Sequence, residues 1–112
     1  MPGGTSIGYG NIAFSTLVQL TLSPTIVGAN TTSEQTFSLL GAQIGDAISV
    51  SKPTSQTGLA CVNCRVSAKD TVAIQFMNNT AGGITPTAGE VYVFEVNRPS
   101  VPVGTALPTN LL

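Results

Sequence analysis

The chain has 112 residues, of which 42% are apolar and only 8% charged, with a net charge of -1. That length suits one domain with one core, and the shortage of charge, against about 25% in ordinary globular chains, excludes a solvated disordered chain and leaves a free monomer poorly protected from association. Four Lys and Arg, scattered along the chain, give no electrostatic footprint for nucleic acid, and no run of about 18 apolar residues marks a membrane span.

"MPGGTSIGYGN", residues 1–11, is Gly-rich and uncharged, with neither the basic start nor the apolar stretch of a secretion signal; it is expected to be an extended arm. In "FSTLVQLTL" Phe14, Val18, Leu20 and Leu22 share one face and Ser15, Gln19 and Thr21 the other, the period of a half-buried strand. "PTIVGA" is a candidate extra strand. "SEQTFSLL" sets Phe37 and Leu39 opposite Glu34, Thr36 and Ser38, and "GDAISVSKP" sets Ile48 and Val50 on one face until Pro53 ends pairing.

"GLACVNCRVS" is expected to place Ala60, Val62, Cys64 and Val66 on one face, against Asn63 and Arg65. "SAKD" then makes a hairpin corner, which Asp70 is expected to close with a hydrogen bond to backbone. "TVAIQFM" turns Val72, Ile74 and Phe76 inward, and "EVYVFEVN" does the same with Tyr92, Phe94 and Val96. The last stretch, "NRPSVPVGTALPTNLL", carries prolines at 99, 102 and 108 that forbid helix and favour extended backbone.

No helical period is sustained, and strands at this spacing predict an all-β fold, a compact two-sheet β-sandwich or jelly roll. The division expected is an N-terminal arm at 1–11, a domain at 12–98 and a C-terminal arm at 99–112. The predicted core comprises Val18, Leu20, Phe37, Leu39, Ile48, Val50, Val66, Val72, Ile74, Phe76, Tyr92 and Phe94. All nine charges lie between positions 34 and 98, so both arms are uncharged. The apolar residues of the arms and of the adjoining start of the domain, Ile7, Tyr9, Ile12, Val101, Val103, Leu107, Leu111 and Leu112, are the candidate anchors on a partner.

Chemistry-bearing patterns are weak. Cys61 and Cys64 form "CVNC", but zinc wants a second pair and the chain has no other Cys and no His. Three apart on a regular strand they would face opposite ways, so two reduced thiols are expected, Cys64 packing as a small hydrophobe. Without His the commonest general base is missing. Asp46, Asp70, Glu90 and Glu95 read as solvated strand-face or corner residues rather than a catalytic pair. "AGGITPTAGE" lacks the Lys of a phosphate loop, and the glycosylation pattern at Asn30 and Asn78 carries little weight without export. No catalytic residue, metal or cofactor is expected.

The stretch "GAQIGDAISVSKPT" (residues 41–54), together with "RVSAKDTVAIQFMNNTAGGITPTAGEVYVFEVNRP" (65–99), resembles small virion proteins of tailed bacteriophages. The residues carrying it are Asp46, Arg65, Asp70, Phe76, Asn78, Pro86 and Gly89. The resemblance implies a non-enzymatic, oligomeric β-sandwich, most similar to head decoration or cement proteins on the capsid exterior. Its partners would be the major capsid protein and itself, as dimer or trimer, with no nucleic acid and no membrane. A small tail or fibre-associated module binding a receptor or glycan is the alternative, although two Tyr, four Phe and no Trp supply few stacking platforms. A pilus or surface-layer subunit would need export. The uncharged arms fit a clamp laid across neighbouring subunits; the plainer reading is that they complete edges of their own sheets.

Overall fold

The computed structural model describes residues 11–107. Six strands follow in order: β1 Phe14–Leu22, β2 Thr31–Ser38, β3 Ala47–Ser51, β4 Leu59–Ala68, β5 Thr71–Asn78 and β6 Glu90–Arg98. They form two antiparallel sheets of three strands, β1-β6-β3 and β2-β5-β4. "PTIVGA" makes no strand; it contributes a single bridge, Val27 to Ile84.

The central strands are the most apolar, as a position flanked on both sides requires. In β5, Val72, Ile74 and Phe76 are fully buried, and in β6 Tyr92 and Phe94 are too. The two rows face each other and form the core with Leu22, Val27, Leu39, Ala42, Val66 and Val96. Val18, Leu20, Phe37, Ile48 and Val50 are half-buried against it, because they sit on the outer strands where one neighbour is missing. β3 and β4 come together across the two sheets and close one flank of the molecule.

The inward row of β4 is not the expected one. Cys61 lies opposite Phe76 and Asn63 opposite Gln75, so Val62 is an extra residue and the strand is bulged. A bulge advances the side-chain phase by one. Leu59, Cys61, Cys64 and Val66 therefore pack against the core, while Ala60 and Val62 face outward on the side with Asn63 and Arg65. The two cysteines share a face, contrary to the expectation from a regular strand.

Asp70 does bond to backbone, but not within its own corner. Its Oδ1 accepts the Gly41 N–H at 2.7 Å, its own N–H donates to Ala42 O at 2.9 Å, and its carbonyl accepts the Leu39 N–H at 3.0 Å. With φ at 58°, a conformation Asp tolerates better than most residues, it ties the β4–β5 hairpin to the loop leaving β2.

Candidate functional surface

Antiparallel pairing brings the start of β1 and the end of β6 to one end of the sheet, with Phe14 opposite Arg98. There Arg98 grips Asp46 in a two-pronged contact, Nε donating to Oδ1 at 2.9 Å and Nη2 to Oδ2 at 2.7 Å. Nη2 also donates to Gly41 O at 2.8 Å, and the guanidinium lies 4.7 Å from the centre of the Phe14 ring, a cation–π distance. The Asp46 side chain keeps only 2% of its exposure. The Arg98 guanidinium holds its carboxyl below the usual range, and Asp46 in turn raises Arg98.

The arms begin as a zipped pair. Ala13 N–H donates to Arg98 O at 2.7 Å. Asn11 Oδ1 accepts from the N–H groups of Ser100 and Val101 and from Ser100 Oγ, and its Nδ2 donates to Val101 O at 2.8 Å. At this clasp and beyond it the anchor candidates are uncovered: Ile12 is 41% exposed, Val101 60%, Val103 75% and Leu107 86%. Ile7, Tyr9, Leu111 and Leu112 lie outside the described residues.

Two further apolar residues join this end. Leu40 is 89% exposed and Ile44 73%, both on the loop that Arg98 and Asp70 hold. The sequence signal for them is "LLGAQIGD": apolar residues placed next to turn-forming glycines, where no strand turns them inward. Gly41 and Gly45 have φ of 96° and 102°, which glycine alone adopts without strain. Beside the loop an apolar groove of 230 Å³ runs between Phe14, Thr16 and Val18 on one wall and Leu39, Leu40 and Ala42 on the other.

The other carboxylates with a resolved shift are also lowered by partners. Glu34 takes both Arg65 Nε and Nη2 at 2.8 Å across the outer face of β5. Glu90 accepts from the Thr54 hydroxyl and pairs with Lys52 at 2.9 Å. All three have folded-state values below their unfolded ones. The stability they contribute is therefore present at neutral pH and disappears as pH falls through the folded values, below about pH 4. The melting temperature should drop on acidification over that range. Asp46→Asn should melt lower than the native chain at pH 7 and show a shallower acid decline; a parallel decline would mean that the Asp46–Arg98 contact contributes nothing to it.

The cysteines are both free and half-buried. Burial pushes the Cys64 thiol up to about 11, with Cys61 adding to the rise, and burial raises Cys61 despite nearby Lys52. Thiolate is the nucleophile, so both should react with a disulfide reagent much more slowly in the folded protein than in urea. Fast native labelling would contradict this packing. Tyr92 OH is buried and makes no hydrogen bond among the described residues; burial first, then Cys61 and Glu90, push it up to about 12. Asn78 is fully buried, and its amide is engaged inside the protein, which makes it inaccessible to a glycosyl donor. Comparison with protein-family models, with curated proteins and with solved structures finds no match.

Proposed function

We propose that this protein is a non-enzymatic structural component of a bacteriophage virion, a decoration or cement protein that self-associates and binds neighbouring major capsid subunits on the shell exterior. The observation that carries it is the set of exposed apolar residues at the end where β1 starts and β6 finishes: Leu40 and Ile44 on the loop that Arg98 holds, and Val101 just past β6. Exposed apolar residues gathered in one place mark a surface that another protein covers. Each anchor buried against a neighbour contributes about 1–3 kcal/mol, and repetition over many subunits of a shell multiplies the attachment. The resemblance of residues 41–54 and 65–99 supplies the kind of partner.

The test is addition of purified protein to phage heads lacking it, with binding and heat stability of the heads as readouts. The intact chain should bind and raise the temperature at which heads rupture, with little dependence on salt because few charges are involved. Deleting residues 99–112 leaves all six described strands whole, since β6 ends at Arg98. The shortened chain should keep its β-type circular dichroism and lose head binding; decoration as tight as that of the intact chain would sink the arm's role. An intact chain that ignores heads would sink the whole reading.

A further inference from the structure

We infer that β1 is a self-pairing edge: two copies of the chain join β1 to β1 antiparallel about a two-fold axis, continuing β1-β6-β3 into a six-stranded sheet across the dimer. The inference rests on the self-association part of the function proposed above but not on its capsid part.

A free strand edge offers unpaired N–H and C=O groups to any second strand, and proteins normally blunt it with charge, proline, bulges or shortness. Among the described residues the outer strands are β1, β3, β2 and β4, of which β3 and β4 also lie against each other, and three of the four are blunted. β2 carries Glu34, β4 carries Arg65 and the bulge at Val62, and β3 is 5 residues long and runs into Lys52 and Pro53. β1 has none of these devices. It is 9 residues long, has no charge or proline, and keeps unbroken register with β6 from Phe14↔Arg98 to Leu22↔Glu90. Among the described residues, the backbone bonds just beyond the strand, Ala13 N–H to Arg98 O and Gly89 N–H to Leu22 O, also lie on its β6 side.

The pattern of β1 suits a second copy of itself. Antiparallel pairing centred on Val18 sets Phe14 against the partner's Leu22, Thr16 against the partner's Leu20, and Val18 against the partner's Val18, all on the inner face. On the outer face Leu17 meets the partner's Gln19 and Ser15 the partner's Thr21. No like charges are opposed anywhere, an arrangement that would destabilise a two-fold strand pairing. The pairing also covers what the monomer leaves open: Phe14 is 40% exposed and Leu17 69%, and Phe14, Thr16 and Val18 line the groove on this flank, the flank opposite the one that β3 and β4 close.

The test is sedimentation velocity of the purified full chain at concentrations from about 1 to 100 μM, without capsids. The native chain should shift from monomer to dimer within that range. Leu17→Lys with Gln19→Lys sets like charges directly opposite across the axis and should weaken dimerisation at least about tenfold, equal to about 1.4 kcal/mol. Leu17→Lys with Gln19→Glu sets opposite charges in the same places and should restore the dimer. Both double variants change exposed outer positions, and circular dichroism checks that each is folded. A native chain that stays monomeric, a trimer, or a folded like-charge variant that dimerises as well as the native overturns the inference, as does a folded opposite-charge variant that remains monomeric. Head binding by a monomeric variant would leave the capsid reading standing alone, and a native dimer that ignores heads would leave this inference standing alone.

Discussion

Replacing Phe76 with Ala should lower the free energy of unfolding by about 3–5 kcal/mol, read as a fall in the urea midpoint at unchanged slope. Phe76 is fully buried at the middle of the sheet, with Ser33 of β2 on one side and Cys61 of β4 on the other. Its ring fills the space toward the opposing sheet, and because strands flank β5 on both sides the backbone cannot collapse into the void. A domain of this size has about 5–15 kcal/mol in total, so this one truncation removes a large share of the stability. Leu40→Ala is the internal control: at 89% exposure the same kind of truncation should change stability by less than about 0.5 kcal/mol. A loss near 1 kcal/mol at Phe76 would mean that the two sheets close around it far more readily than this packing allows.

The parts of the fold readable from the sequence are those governed by period two. "FSTLVQLTL" coincides with β1 residue for residue, and each residue of the predicted core is buried or half-buried against the core, because alternation reports directly which face is covered. The bulge at Val62 was hidden. "CVNC" reads as regular alternation until the partner strand is known, and only pairing with Phe76 and Gln75 reveals the extra residue. Val27 was hidden for a related reason: a residue held by one bridge to Ile84 has no periodic neighbours to betray its burial. Asp70 was legible as a corner residue but not as a clasp on Gly41, since that contact joins segments far apart in the chain. Of the proposed surface, the uncharged arms were visible in composition. Leu40 and Ile44 are not legible in the sequence, because an apolar residue in a loop looks like core until the glycines beside it are seen to turn it outward.

Asn78 should prove the most sensitive polar position. It is the only buried polar residue in the described core, and it organises the loop between β5 and β6. Its Nδ2 donates to Val27 O at 3.1 Å and to Gly82 O at 2.8 Å. Its Oδ1 accepts the Thr80 N–H at 2.9 Å and the Thr80 hydroxyl at 2.7 Å. These bonds seat Val27 in the core and hold Thr80 against Gly58, where a Cβ would collide with Thr80 Cγ2. Asn78→Ala strips partners from several groups at once and should cost about 2–4 kcal/mol. Asn78→Asp keeps the shape but points a carboxylate oxygen at the two carbonyl oxygens, so at pH 7 it should cost more than Ala. Burial and those carbonyls disfavour the ionised form, which raises the folded-state pKa of the new carboxyl above its unfolded value. A raised value gives a contribution present at low pH and lost as pH climbs through the folded pKa. The deficit of Asn78→Asp relative to the native chain should therefore shrink as pH falls from about 7 toward 4, while that of Asn78→Ala stays constant. Paired denaturation curves across that range decide it: a pH-independent deficit for Asn78→Asp would show that the carboxylate finds water or a donor, and that the amide is not the clamp on Val27 and Gly82 described here.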